Sequence, residues 1–367
     1  MATTSGNPSL IAMRGAGYYS TNTAGAKTVI DSTTTLVLDA IAGMDLTAPK
    51  PFAIADFGAA DGGTSIDLMR QAVSAIRDRS AEKKITITYT DLPSNDFSSL
   101  FSLLQGDGGL GREKNLFAFA SGTTFYRQIF PDGSLDLGYS ATAMHWLSRK
   151  PAAITDQVHS SCARPHEKSA FRDQSLADWE TILLARAREL APGGVLVFAN
   201  FTEDENGHYL GWTGGVNMHA NFARNWRKLF EEGRISQAEF HAAAFQQHYK
   251  TPAEFAAPFR DPDSPVAKAG LTLETMFTRA TPCPYAAEFK RRGDKAAFAR
   301  SYIPTLRSWS ESTFMSALDK ARPLSDRKTI VDSFYAGYEA DVASDPAGHA
   351  MDYVHCFMVI RKAPHSG

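Results

Sequence analysis

The chain has 367 residues, of which 43% are hydrophobic and 21% are charged, and its formal net charge is −2. This balance is typical of a soluble globular protein with a large core, and the lack of a basic stripe argues against a nucleic-acid partner. No apolar run approaches the roughly 20 residues that span a bilayer, and three widely spaced cysteines (162, 283 and 356) do not suggest a disulfide framework. We therefore expect a cytoplasmic protein with no stable membrane anchor.

Short β-rich runs alternate with helical patterns over the first 200 residues. The candidate strands are 51–58, 84–91, 116–121, 135–142 and 193–201. Apolar residues spaced three and four apart, beginning at Ile66, predict a helix after the first strand, and a second helix is predicted over about 175–190. This alternation predicts a mostly parallel sheet with helices on both faces and ligands at the carboxyl ends of its strands.

The pattern changes after Phe201. Residues 202–325 are rich in aromatic residues and helical spacing but contain no convincing strand, which predicts a helical cap that forms the substrate pocket. A final helix over about 326–343 leads into an apolar run at 352–362 that would return to the sheet. We expect a core of residues 1–201 and 326–362, in which residues 1–30 form an N-terminal lid segment.

A glycine-rich turn, Gly-Ala-Ala-Asp-Gly-Gly at 58–63, follows the first strand but departs from the dinucleotide pattern G-x-G-x-x-G. Asp61 in this turn would repel a pyrophosphate, whereas Asp56 and Asp61 together suit a cofactor with positive charge, such as S-adenosylmethionine. Asp91 ends the next strand and could accept hydrogen bonds from ribose hydroxyls, which NAD also carries. Alternatively, Asp61 only makes the turn and Asp91 only caps the next helix.

The segment Asp-Leu-Pro-Ser-Asn-Asp-Phe at 91–97 resembles the D-L-P-x-N-D-F motif of the SABATH methyltransferases, which transfer a methyl group from S-adenosylmethionine to carboxylic acids or ring nitrogens. Further blocks at 54–58, 124–131, 145–148, 249–255 and 353–362 resemble the family in the same order. The resemblance covers nearly the whole chain. It implies an α/β fold with the Rossmann-like sheet of class I methyltransferases, and a homodimer.

Carried onto this sequence, the resemblance also implies the site residues. Asp56, Gly58, Asp91, Leu92, Thr124 and Phe125 would line the cofactor site, with Tyr19 and Thr23 closing over it. Arg14, where the family often has a lysine or asparagine, is also expected at the cofactor, and the charge argument adds Asp61. Trp146 would donate its indole N–H to the substrate carboxylate, with His145 beside it. A glutamine that helps to hold the carboxylate in the family is Ala26 here, and a family tyrosine is Thr142, so the second oxygen of the acid needs another partner, such as water, His145 or a cap residue.

The aromatic surplus of the cap, together with these lost polar groups, predicts a pocket for an apolar acid lined by Trp226, Phe245 and Trp309. Within the resemblance, this fits the bacterial fatty acid methyltransferase branch, which would make the methyl ester of a medium-chain acid. No metal is expected, because His159, Cys162 and His166 have near-ligand spacing but no fourth ligand.

Three alternatives remain open from the sequence. The first is a methyltransferase for a small aromatic acid or a ring nitrogen, in which His145 would matter more because a proton has to leave. The second is an NAD-dependent oxidoreductase, against which Asp61 argues. The third is a non-catalytic binding protein.

Overall fold

The computed structural model describes residues 18–364 of the chain. Its strands are β1 Phe52–Phe57, β2 Ile85–Thr90, β3 Leu116–Ser121, β4 Leu135–Ala141, β5 Leu190–Phe201, β6 Leu271–Thr281 and β7 Tyr353–Lys362. They form one seven-stranded sheet in the order β3-β2-β1-β4-β5-β7-β6. β1 to β5 are parallel, whereas β7 is antiparallel to both of its neighbours. The predicted α/β class and mostly parallel sheet are confirmed.

Helices cover both faces of this sheet, which explains why its central strands are continuous apolar runs. The helices are α1 Tyr18–Asn22, α2 Ala24–Asp31, α3 Thr34–Ala42, α4 Ile66–Arg79, α5 Phe97–Gln105, α6 Pro165–Glu189, α7 Met218–Glu231, α8 Gln237–Ala242, α9 Pro252–Arg260, α10 Pro265–Lys268, α11 Pro284–Arg292, α12 Lys295–Ala317 and α13 Leu324–Ser344. None of these helices in residues 18–364 is long and apolar enough to cross a bilayer.

Alternation along β5 divides the core between the two faces of the sheet. Val195, Val197 and Ala199 pack on the face that carries α2, α4, α7 and α12, while Leu196 and Phe198 pack with Trp179 of α6 on the other. A buried strand that presents apolar side chains on both faces fixes its register against both layers.

The expectation of no strand in 202–325 is wrong, because β6 lies inside that range and pairs with β7 at the edge of the sheet. Thr, Glu and Arg residues occupy most of the exposed positions of this edge strand, so its sequence lacks a continuous apolar run. β5 also starts three residues earlier than predicted. The sequence Pro-Gly-Gly at 192–194 forms an irregularity between paired residues, with Gly193 at φ +77°, instead of a loop before the strand.

Candidate active site

A cavity of about 870 Å³, its opening included, lies at the carboxyl ends of the parallel strands. Its lining residues are Thr23, Gly58, Ala60, Asp91, Leu92, Thr124, Phe125, Tyr126, Thr142, Ala143, His145, Trp146, Phe201, Leu210, Trp309, Met351 and Tyr353. Segments that follow β1, β2, β3 and β4 supply most of this wall. The topology therefore brings together residues that are far apart in the sequence, as expected for an open α/β sheet.

Ten of the predicted site residues lie in this wall. They are Thr23, Gly58, Asp91, Leu92, Thr124, Phe125, Thr142, His145, Trp146 and Trp309. Arg14 and the side chain of Tyr19 lie outside the described residues, so their roles stay predictions.

Asp91 ties the glycine-rich turn to the end of β2. Its carboxylate accepts hydrogen bonds from the backbone N–H of Ala60 at 2.8 Å and of Leu92 at 2.7 Å. Asn95 donates to the carbonyl of Ala60 at 2.7 Å, which stabilises Ala60 at a φ of +50°. The helix-capping alternative for Asp91 is not what the structure shows, since Asp96 caps α5 by accepting from the N–H of Ser99.

Asp56 lines a smaller cavity that shares Gly58, Ala60 and Thr142 with the first. It accepts a hydrogen bond from the Ser65 hydroxyl at 2.6 Å. Burial raises its pKa to about 7, although the Ser65 hydrogen bond opposes this, and the charge of Asp91 adds to the increase. Burial also raises the pKa of Asp91, against its two backbone hydrogen bonds. No Lys, Arg or His within residues 18–364 pairs with either carboxylate, so a bound cation would favour their ionised forms.

Asp61 lines neither cavity, and its predicted contact with the cofactor stays a prediction. Its carboxylate accepts from the backbone N–H and the hydroxyl of Ser20 in α1 at 3.2 and 3.0 Å, and from the N–H of Gly63 at 3.1 Å. A short acidic side chain in a glycine turn finds backbone donors close by. Asp61 therefore fastens the N-terminal helix onto the turn.

Three predicted pocket residues are core residues instead. Trp226 is fully buried, with ring centroids 5.0 Å from Phe314 and 5.5 Å from Phe334. Phe245 lies behind Trp309, at a centroid distance of 5.5 Å. Ala26 is buried in α2. The spacing of apolar residues indicates which face of a helix is buried. It does not distinguish the wall of a pocket from the core behind that wall.

His145 and Trp146 follow β4 and lie side by side, with ring centroids 5.6 Å apart. His145 also packs edge-on against Phe201 at 4.7 Å. Burial holds the pKa of His145 well below its usual value of 6.5, and the neighbouring His355 and Lys250 lower it further. Its Nδ1 atom has no hydrogen-bond partner among the described residues. The imidazole is therefore neutral at physiological pH.

Several wall residues were not predicted from the sequence, including Tyr126, Phe201, Leu210, Met351 and Tyr353. For Tyr353, one sequence signal is the glycine at position 25. A Cβ atom there would lie 2.2 Å from the ring of Tyr353, so the glycine makes room for this ring. Tyr353 comes from the last strand, 328 positions away by sequence number. Such a contact depends on the order of strands in the sheet, which local patterns do not encode.

A buried ion pair beneath the segment 125–130 was also missed. The Arg186 guanidinium donates to Glu189 at 2.5 and 2.6 Å, and both side chains are fully buried. Arg186 also donates to the carbonyls of Phe125 and Arg127, each at 2.9 Å. The pair thus anchors the segment that carries Phe125 into the cavity wall.

The carbonyl of Asn22, just before Thr23, joins the N-terminal segment to the helical part of the chain. It accepts from the hydroxyl of Tyr285 in α11 at 3.0 Å and from that of Thr305 in α12 at 2.6 Å.

Elsewhere, His159 is stacked on His219 with centroids 4.0 Å apart, and no cluster of three or more His, Cys, Asp or Glu suited to a metal ion occurs in residues 18–364.

The sheet order, the glycine turn and the two strand-end carboxylates define a Rossmann-like class I methyltransferase fold. A family model described as SAM dependent carboxyl methyltransferase matches residues 8–363, and the chain belongs to this family. Membership agrees with the enzyme class and the cofactor, S-adenosylmethionine, predicted from the sequence, and not with the oxidoreductase alternative.

The chain is similar to plant enzymes of this kind. Loganic acid O-methyltransferase of Catharanthus roseus is 26% identical over 251 residues, which cover 63% of this chain and 66% of the relative. Indole-3-acetate O-methyltransferase 1 of Arabidopsis thaliana is 30% identical over 218 residues, covering 52% and 55%. The chain thus matches about half to two-thirds of the length of these relatives. A solved structure of loganic acid methyltransferase with SAH covers 96% of this chain and 99% of its own at a TM-score of 0.74 and 20% identity, which shows the fold.

Proposed function

We propose that the protein transfers a methyl group from S-adenosylmethionine to a free carboxylic acid, a medium-chain fatty acid, and releases its methyl ester. The observation that carries this proposal is the division of the cavity wall. Asp91 lies at the end near the glycine turn, whereas Phe201, Leu210, Trp309 and Met351 contribute apolar side chains to the rest of the wall. None of the described lining residues is a lysine or an arginine.

The residues present fit a cationic nucleoside cofactor. Asp56 is a buried carboxylate and Asp91 a half-buried one, neither has a cationic partner in the described chain, and Gly58 adds no side chain to the turn beside them. Asp91 would hold the ribose, and Asp56 would offset positive charge. When bound, S-adenosylmethionine supplies an electrophilic methyl group on a sulfonium.

The substrate needs little activation by the protein. A carboxylic acid has a pKa of about 4 to 5 and is already an anion at neutral pH, so no general base is required. Trp146 would donate its indole N–H to one oxygen, and the neutral ring of His145 would donate to the other or shape the site beside it. Orientation of two bound reactants contributes about 7–11 kcal/mol to such reactions, and exclusion of water strengthens the hydrogen bonds that position the anion.

The range 202–325 would build the far end of the pocket. Leu210 and Trp309 come from this range and line the cavity, which supports its proposed role as a substrate cap, although β6 within it belongs to the sheet. We also propose a cytoplasmic homodimer, for which size-exclusion chromatography with light scattering is the test.

A panel of acids with methyl-labelled cofactor tests the function. We expect ester formation to peak for straight-chain acids of intermediate length and to fall for short and hydroxylated acids. Faster turnover of benzoate-like acids than of octanoate-like acids would contradict the fatty acid proposal, and no turnover of any acid would contradict carboxyl methylation.

A small aromatic acid is the second candidate, because the aromatic residues Phe201, Trp309 and Tyr353 line the cavity and could pack on a ring. The relatives named for indole-3-acetate and loganic acid are compatible with it. A ring nitrogen would need proton removal, so substitution of His145 by alanine should lower its methylation steeply, while a carboxylate substrate should tolerate the change.

A further inference from the structure

The turn after β4 that carries His145 and Trp146 is fixed by backbone contacts on both sides. Trp146 donates its N–H to the carbonyl of Ala143 at 3.3 Å, and His145 accepts at its carbonyl from the N–H of His248 at 3.1 Å. Thr142, where the turn begins, has a φ of +57°, a left-handed conformation that a β-branched residue rarely adopts. Such a conformation persists only where the surroundings enforce it.

Two side chains supply further contacts to this turn. The hydroxyl of Tyr126 donates to the carbonyl of Trp146. Gln246 is buried and holds both polar groups of Leu147: its backbone carbonyl accepts from the Leu147 N–H at 2.8 Å, and its side-chain Nε2 donates to the Leu147 carbonyl at 2.6 Å. The backbone polar groups from the carbonyl of His145 to that of Leu147 are therefore all paired.

Tyr126 links this turn to the cofactor end of the cavity. It directly follows Thr124 and Phe125, which line that end, and its own ring packs on Phe125 with centroids 4.8 Å apart. Burial raises the pKa of Tyr126 well above its usual value, so the hydroxyl remains a donor. A single hydrogen bond thus joins the wall beside the cofactor to the residue that faces the substrate.

We propose that Tyr126 and Gln246 are positioning residues that fix the Trp146 indole relative to the cofactor wall and so align the substrate carboxylate for methyl transfer. This inference depends on the proposed carboxyl methylation. In-line displacement tolerates little misalignment, and a shift of about 1 Å can cost on the order of 100-fold in rate. Neither residue needs to touch the substrate through its hydrogen-bonding group to have this effect.

The test compares Tyr126→Phe with Tyr335→Phe in the full chain. Each change removes one tyrosine hydroxyl; Tyr335 forms a hydrogen bond with the Ser310 hydroxyl at 2.6 Å in the helical core. We expect Tyr126→Phe to lower kcat by about tenfold or more, with the Kd for S-adenosylhomocysteine and the KM for the acid within about twofold of wild type. Tyr335→Phe should change Tm alone. Gln246→Glu, which keeps the size of the side chain but loses the amide donor, should repeat the loss in kcat.

An activity-independent measurement separates this inference from the proposed function. The indole N–H signal of Trp146 in a ¹⁵N spectrum, assigned by Trp146→Phe, should shift or split in Tyr126→Phe while the signals of Trp179 and Trp226 stay in place. An unchanged Trp146 signal, or an unchanged kcat in an active enzyme, would overturn the positioning role. A wild-type protein that methylates no acid would overturn the proposed function, and the Trp146 signal would still decide whether Tyr126 fixes the indole.

Discussion

Gly58 and Ala143 approach so closely that a Cβ atom on Gly58 would lie 2.4 Å from the Cβ of Ala143. Gly58 begins the glycine turn and Ala143 belongs to the turn that carries Trp146. The close approach of these two turns is therefore possible only because position 58 carries no side chain. Gly58 also has a φ of +80°, which disfavours any other residue.

Gly58→Ala should damage the site more than the backbone conformation alone requires. The φ cost is about 1–2 kcal/mol, and overpacking against Ala143 adds about 1–3 kcal/mol. Gly133→Ala is the matched control, because Gly133 has a φ of +66° and a Cβ added to it would meet no atom within 4 Å. Calorimetric binding of S-adenosylhomocysteine should be lost in Gly58→Ala and retained in Gly133→Ala; equal binding by the two would contradict the role of the close approach.

Cofactor affinity should depend on pH through Asp56, whose pKa is about 7 in the free protein. A bound cation favours the carboxylate, so binding below this pKa releases a proton, and affinity should rise by up to about tenfold per pH unit until it levels off above pH 7. Isothermal titration between pH 5.5 and 8.5 measures this effect. Adenosine, which lacks the cation, should show no such rise, and Asp56→Asn should abolish it.

The same raised pKa affects the stability of the free protein. A carboxyl group whose folded pKa lies above its unfolded value destabilises the fold at higher pH, so the free energy of unfolding should increase as pH falls from about 7 towards 4. Urea unfolding of wild type and Asp56→Asn compares the two slopes. A wild-type slope that Asp56→Asn leaves intact would have to come from other groups.

The rate of acid methylation should show no titration of His145. Burial keeps its pKa well below 6.5, so the ring stays neutral from about pH 6 to 9. We expect kcat/KM for a fatty acid to be flat across this range once the effect of Asp56 is removed by saturating cofactor. An inflection near pH 6.5 that disappears in His145→Gln would show instead that this histidine titrates during turnover.

Trp309 and Trp226 should differ in what their replacement by phenylalanine changes. Trp309 lines the cavity, so Trp309→Phe should enlarge it and shift the preferred acid towards longer chains. Trp226 is a fully buried core residue, so Trp226→Phe should reduce stability by about 1–3 kcal/mol without altering chain-length preference. Competition between acids of graded length measures the chain-length preference of both variants. A shifted preference in Trp226→Phe would contradict its assignment to the core.

Cavity residues that directly follow a strand could be placed from the sequence, whereas side-chain directions could not. Asp91, Leu92, Thr124 and Phe125 line the cavity because each follows a strand within a local motif and the parallel topology gathers strand ends, while their contacts with the cofactor stay predictions. Asp61 also lies in such a motif, but its side chain found donors in α1. A local pattern places the backbone, whereas the direction of a short polar side chain depends on tertiary neighbours.

The clearest failures concern contacts between distant segments. β6 was missed because an exposed edge strand lacks a full apolar run, and Tyr353 was missed because strand order decides that β7 lies beside β5. Arg186 and Glu189 stand three residues apart in a helix, a spacing that exposed ion pairs share. Only the three-dimensional structure shows that both are buried.

Burial of that pair predicts an unusually large effect of Glu189→Gln. Removing one partner leaves Arg186 buried without its counter-charge, at a cost of about 3–5 kcal/mol, while the double change Arg186→Met with Glu189→Leu should recover part of it. Thermal unfolding gives the comparison. Glu288→Gln, in an exposed pair with Arg291, should leave Tm unchanged.

The carbonyl of Asn22 uses both of its lone pairs, one for Tyr285 and one for Thr305. Because one oxygen accepts both hydrogen bonds, a movement of the end of α1 away from α11 also moves the acceptor of the bond to α12. We therefore expect this N-terminal segment to leave both helices in one step. Release of a fluorescent nucleoside past Asn22 would then follow a single exponential. The segment would then have two states, bound or released. Separate acceptors for Tyr285 and Thr305 would instead have allowed it to be released in stages.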